Sequence, residues 1–262
     1  MKKHRLQLAS LFILLLFFGN ACTPVLYVPP TQNVSLPNKK GDSDLTASYG
    51  LRGAALQYTG AASNMLFVAA QLRGLSYQRT AEANSYLNIT QSNLRHRESS
   101  GDLGLGLYGR FGGQRFGAWS ILAGGGLGRT AESPLNGNAF VHSSANYRRI
   151  FFQPAIGLAT PRFQLALSCQ AAWIKIGSVR SGNPAYDGRT FSPFTIEPAV
   201  TLCFGGEWVK FFAQAARTWE DSNQQHALRK VLSIDLQSVA NLTIGVRFHF
   251  GKQPAAGAAQ RQ

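Results

Sequence analysis

Apolar and polar residues alternate with period two over most of the chain, the spacing of a β-strand with one face in each of two environments. Near the C-terminus, Leu242, Ile244, Val246, Phe248 and Phe250 share one face, and Thr243, Gly245, Arg247 and His249 share the other. The same pattern sets Phe194, Ile196, Pro198, Val200, Leu202 and Phe204 against Thr195, Glu197, Ala199 and Thr201. It recurs in 162–176, where Phe163, Leu165, Leu167, Cys169, Ala171 and Trp173 oppose Gln164, Ser168 and Gln170. In 102–111, Leu103, Leu105, Leu107 and Phe111 oppose Asp102, Gly104, Gly106, Tyr108 and Arg110. These segments predict strands at 44–51, 54–61, 65–76, 100–111, 115–128, 146–159, 162–176, 192–204, 207–217 and 238–250. Eight strands behind an irregular lead-in is the alternative, because the first two are short.

The connections carry a second regularity. Gly112-Gly113-Gln114, Thr160-Pro161 and Gly205-Gly206 read as tight turns, and long polar stretches fall near 77–99, 129–145, 178–191 and 218–230. A strict alternation of short and long connections is the habit of outer-membrane barrels, with short periplasmic turns and longer outer loops. The fold expected is all-β, an antiparallel up-and-down transmembrane β-barrel spanning 44–250. Its even strand number sets both termini on the periplasmic side. Trp119, Trp173, Trp208, Phe111, Phe204 and Phe211 near strand ends suit the aromatic girdles of such a barrel. Alternation alone does not say which face points outward. A soluble lipocalin-like barrel binding an apolar ligand is therefore the main rival.

The N-terminus bears on the compartment. Lys2, Lys3 and Arg5 precede a nearly unbroken apolar run from Leu6 to Phe18, then Gly19-Asn20-Ala21-Cys22. The run is short for a membrane span and suits a signal peptide over 1–21. Cys22 directly after the cleavage point suits lipid attachment there. Pro24, Pro29, Pro30 and Pro37 make 22–43 a proline-rich tether, with a polar turn at Asn38-Lys39-Lys40-Gly41-Asp42. Residues 251–262 read as a flexible tail.

Composition sharpens this picture. Only 15% of residues are charged, against about a quarter in an ordinary soluble domain. The polar faces are rich in Gly, Ala, Ser and Gln. The formal charge is +14, which asks for an anionic partner. Nucleic acid is disfavoured, since no nucleic-acid-binding motif is present. Outer-membrane lipid is the expected surrounding. Anionic lipid or glycan is expected at the basic sites Arg95-His96-Arg97, Arg148-Arg149 and Arg229-Lys230.

The segment Cys22-Thr-Pro-Val-Leu-Tyr-Val-Pro29, followed by Asn33-Val-Ser-Leu-Pro-Asn-Lys-Lys-Gly-Asp42 and Ala47-Ser-Tyr-Gly50, resembles the N-terminus of envelope proteins from Bacteroidetes. The resemblance implies a small outer-membrane barrel behind a lipoprotein-type signal, and it transfers no catalytic residue.

Motifs with possible chemistry are weak. Gly104-Leu-Gly-Leu-Tyr-Gly109 has dinucleotide-loop spacing but lies inside an alternating strand, whereas such a loop opens a helix. Ala123-Gly-Gly-Gly-Leu-Gly128 reads as close-packed wall or a bend near the rim. His96, His142 and His226 fall in three long connections and would meet at one mouth, but none has metal-ligand spacing. His142 beside Ser143 and Ser144 is the one arrangement offering a base near a nucleophile. Cys169 and Cys203 fall on opposite faces of neighbouring strands, which excludes a disulfide between them. Asp102, Arg110, Glu197, Lys210 and Arg247 are placed inward, with Glu197 and Lys210 the expected pair across the turn at Gly205. The expected function is non-enzymatic, with no cofactor: a barrel lipoprotein of the cell outer membrane in a structural, adhesive or surface-interaction role. A lipid-modifying enzyme and a narrow channel are the further alternatives.

Overall fold

Ten antiparallel staves close on themselves in the computed structural model, which describes residues 31–37, 39–51, 53–81, 92–111, 117–134, 143–180, 188, 190–220 and 240–251. The strands are β1 (Ser43–Gly50), β2 (Gly53–Ala61), β3 (Leu66–Ala81), β4 (Ser92–Phe111), β5 (Gly117–Pro134), β6 (Ser143–Ala159), β7 (Phe163–Arg180), β8 (Phe194–Gly205), β9 (Val209–Arg217), β10 (Trp219–Glu220) and β11 (Ala240–Phe250). The two-residue β10 continues β9 past Thr218 along β8, so both make one stave. Neighbours in sequence pair as an up-and-down meander. The seam closes where β11 pairs with both β9 and β1, from Ser43 opposite Phe250 to Gly50 opposite Thr243. A closed ladder leaves no unpaired edge, the condition for sheet structure to sit in hydrocarbon. The first two strands are full members of the ladder, which removes the eight-strand alternative.

The question left open by alternation is answered by which face is covered. The apolar face points out: Leu103, Leu105, Ile150, Leu167, Leu242 and Ile244 are all more than half exposed. Their polar neighbours Asp102, Gln153, Ser168, Thr243 and Arg247 are buried. Thirty-three large apolar side chains are exposed among the described residues. In water that would be a contiguous patch far beyond the few hundred Å² a soluble protein carries. A lipocalin-like barrel needs the opposite arrangement and is excluded. Exposed Phe111, Phe163, Phe204, Trp208, Phe211 and Phe250 gather at the short-turn end, and Tyr49, Trp173, Phe194 and Trp219 lie toward the other. Trp119 is half-buried on the same outer face.

Two expectations are corrected. Connections do not alternate strictly, because β1 and β2 are joined at the long-connection end by residues 51–52 alone. Gly53 makes that turn possible, with φ +92 and a backbone approach to Gly74 that leaves no room for a Cβ. The strands also run beyond their predicted ends: β3 reaches Ala81, β4 begins at Ser92 and β5 reaches Pro134. Above the apolar band both faces are polar, so Arg97 outside and Glu98 inside erase the alternation while the ladder continues.

Replacing Leu105, central on the outer wall, by arginine should cost about 2–4 kcal/mol of stability if it faces hydrocarbon. Denaturant titration of the barrel in lipid vesicles measures this. A cost near zero would mean that this face meets water.

Candidate functional site

The lumen concentrates buried polar groups among the described residues, and it is filled by two devices. The first is a charge cluster toward the long-connection end. Arg73 from β3 pairs with Glu98 from β4, and Tyr147 from β6 donates to Glu98 Oε1 at 2.7 Å. Arg149 from β6 grips Asp102 from β4 with two bonds, Nε to Oδ1 at 2.7 Å and a terminal nitrogen to Oδ2 at 2.6 Å. Strand β5 lies between these partners, and the register aligns Asp102, Gly126 and Arg149 in one row. A Cβ on Gly126 would collide with the Asp102 carboxylate, and one on Gly128 with the Tyr147 ring. The glycine run 124–128 is thus close-packed wall over which side chains of β4 and β6 reach each other. Gly106 plays the same part beneath the Phe67 ring, and Gly109 lies on the other face under Trp119, so the GxGxxG spacing reflects packing on both faces of a strand.

The second device is residues 31–37 of the tether. They have no regular structure and pass through the lumen, where Thr31, Gln32, Val34, Ser35 and Leu36 are buried. An extended backbone there has unpaired carbonyls, and the wall supplies their donors. Gln57 donates to the Thr31 carbonyl at 3.0 Å, Gln214 to that of Gln32 at 3.1 Å, Gln153 to that of Asn33 at 3.1 Å and Gln164 to that of Val34 at 3.4 Å. Gln214 also accepts from the Gln32 amide at 2.9 Å, so its side chain pairs with the backbone as a neighbouring strand would. Arg247 adds a bond to the Val34 carbonyl at 3.0 Å and one to Gln164 at 3.0 Å. The Gln32 side chain donates to the Glu197 carbonyl at 2.5 Å and accepts from Ser168 at 2.6 Å. Val34 and Leu36 pack on Ala118, Ala155, Ala159 and Ala166, whose small size makes the room.

The path has a direction. Thr31 lies beside Thr243, well up β11, while Ser35 lies beside Asp44 at the foot of β1. The chain therefore descends toward the short-turn rim, turns at Gly41 (φ +87) and rises as β1. The N-terminal side of this segment points into the barrel, in contrast to the expectation that both termini fall on the periplasmic side.

The predicted site residues divide accordingly. Glu197 and Lys210 both point inward, but they do not pair. Glu197 accepts from Thr218 at 2.6 Å, while the register puts Lys210 opposite Gly205 near the other end of the ladder. Adjacency in a hairpin holds only for residues equidistant from the turn, and these are not. Asp102 and Arg247 are buried and partnered as described, and Arg110 donates to the Ala159 carbonyl at 3.0 Å. His96 is buried near Glu98 at 3.8 Å rather than in a loop, whereas His142, His226 and Cys22 lie outside the described residues. Cys169 and Cys203 are free thiols on opposite faces. The lumen segment itself was not anticipated. Its signal was four inward glutamines on different strands with no charged partner in view.

These features define a transmembrane β-barrel of the outer-membrane type. No family profile and no curated protein matches the chain. Among solved structures it is similar to the translocator domain of the autotransporter NalP from Neisseria meningitidis (12% identity, 80% of this chain, 86% of that one, TM-score 0.43). It is also similar to the KdgM porin (9%, 80% and 99%, TM-score 0.34) and to CarO2 from Acinetobacter baumannii (9%, 81% and 100%, TM-score 0.32).

Removing one partner of the Asp102–Arg149 pair strands a buried charge. Asp102→Ala should therefore lower stability by about 3–5 kcal/mol. The volume-matched Asp102→Leu/Arg149→Met double variant should recover most of it, read from denaturation midpoints in micelles. Equal loss in both would show that the pair's charge is not what the site depends on.

Proposed function

We propose that this chain is a non-enzymatic outer-membrane lipoprotein whose barrel is sealed by its own N-terminal segment and serves a structural or adhesive role. One observation carries the reading: four successive carbonyls of residues 31–34 are each bonded to a wall glutamine. A lumen that hydrogen-bonds its own chain in this way is built to be filled. A conducting pore keeps its inner polar groups for water and ions. The surface then acts through the long connections, beyond the outward apolar band. Cys22, with the leader before it, supports a lipid anchor, and the N-terminal resemblance supports a place among Bacteroidetes envelope barrels.

Reconstituted in planar bilayers, the full chain should show no steady conductance. Deletion of residues 31–37 should open one, and Gln214→Leu should give intermittent openings, since it removes both bonds to the Gln32 backbone. A wild-type channel as open as the deletion variant would overturn the sealed reading. Separately, Cys22→Ala should remain in the outer membrane after alkaline carbonate extraction, while losing incorporation of labelled fatty acid. Unchanged labelling would remove the lipid anchor from the proposal.

A further inference from the structure

The outer wall carries a feature that the sealed lumen does not explain. Just above the apolar band at the long-connection end, Arg97 on β4, Arg129 on β5, Arg148 on β6 and Lys175 on β7 are all exposed. They stand on four adjacent strands. Arg148 is directly opposite Lys175, and Arg97 and Arg129 follow at neighbouring register steps. Alternation directs them outward, because their chain neighbours Glu98, Thr130, Tyr147, Arg149 and Ile174 are buried. Among the side chains described in this half of the barrel, the carboxylates Glu98 and Asp102 are turned inward and engaged there. The row is a positive strip without an outward counter-charge among those side chains.

Immediately below it the wall is hollowed. Ala70, Gly101 and Gly125 form the floor of a groove of about 800 Å³ between Leu72, Leu103 and Leu127, and Arg148 stands at its upper end. Small residues on a lipid-facing surface, roofed by cations at headgroup level, suit an amphiphile with acyl chains below and negative charge above. Strand spacing gives the charge pattern its scale. From β4 to β7 is three steps of roughly 4.8 Å, and the register sets Arg97 four residues further along the strands than the Arg148–Lys175 pair, so the strip runs diagonally over about 20 Å. A phospholipid with one phosphodiester engages only one or two of these cations. A glycolipid bearing two separated phosphate monoesters spans the strip, and charge-assisted bonds from arginine to phosphate are the strong ones.

We infer that this strip and groove form a binding site for a phosphorylated glycolipid of the outer leaflet. It differs from the sequence expectation as to residues: His96 and Arg149 of the expected basic sites point inward, Arg229 and Lys230 lie outside the described residues, and Arg129 and Lys175 join the strip. The inference rests on the lipid-facing outer wall and not on the sealed lumen, so the conductance experiment neither supports nor removes it.

The test uses the full chain in detergent micelles, with diphosphoryl lipid A as probe and native mass spectrometry as readout. Monophosphoryl lipid A and phosphatidylglycerol are the comparisons. The wild type should retain the diphosphoryl form at least tenfold more strongly than phosphatidylglycerol, with the monophosphoryl form between them. Arg129→Gln/Arg148→Gln/Lys175→Gln should abolish that preference, and added salt should weaken it. Ala70→Leu, which fills the groove and leaves the cations, should weaken all three lipids together. Heat-modifiable migration on gels checks that each variant keeps its barrel. If phosphatidylglycerol binds as tightly as the diphosphoryl form, the site is a general anionic-lipid surface and the proposal fails. It fails equally if the folded triple variant keeps the wild-type preference.

Discussion

Four peptide carbonyls in a row, from Thr31 to Val34, each receive a side-chain amide from a different strand of the wall. An extended segment with no ladder of its own cannot stay buried unless every carbonyl finds a donor, since an unsatisfied group costs about 1–3 kcal/mol. Glutamine suits the task because one amide both donates and accepts and carries no charge to be desolvated. Gln214 does both at once against the Gln32 backbone. The segment and the wall are thus mutually required. Without the segment, these glutamines would face an open lumen. Without them, the segment would not be held there.

The charged half of the lumen solves a different problem by the same economy of space. The Arg149–Asp102 ion pair and the Tyr147–Glu98 hydrogen bond, which bridge β4 and β6, must cross β5, and only glycine at 126 and 128 lets them do so. The cations are also covered by rings, Arg149 over Phe151 at 5.1 Å and Arg247 over Phe212 at 5.5 Å. Residue size therefore decides where the lumen is closed by side chains and where it admits a length of backbone. Over β5 it is glycine that makes the crossing possible. Near the short-turn rim it is alanine, at 118, 155, 159 and 166, that leaves space for Val34 and Leu36.

Much of this architecture was legible in the sequence. The ten strands were visible because lipid on one side and a polar lumen on the other impose strict alternation, as in Leu242 to Phe250. What escaped has a physical reason in each case. The upper ends of β3 to β6 were missed because both faces are polar there. The orientation of the wall was not given by periodicity, and had to come from which side is covered. The Glu197–Lys210 expectation counted charge and face but not distance from the turn. The prolines at and before residues 31–37 exclude regular structure, but irregular backbone is not excluded from an interior that supplies donors.

The partners of the lumen segment are drawn from the whole chain. Its bonds span 26 positions to Gln57, 120 to Gln153, 182 to Gln214 and 213 to Arg247. The seam between β1 and β11 demands a similarly long closure, while the hairpins between them are local. Loop-closure entropy for the seam and for the lumen is thus lost in one step, because the ring that brings Gln57 and Arg247 to the same level is the ring that β11 completes. Contact order is concentrated in that step, so folding should be slow and its final event cooperative. A chain that lacks its last strand loses the wall and the filling of the lumen together.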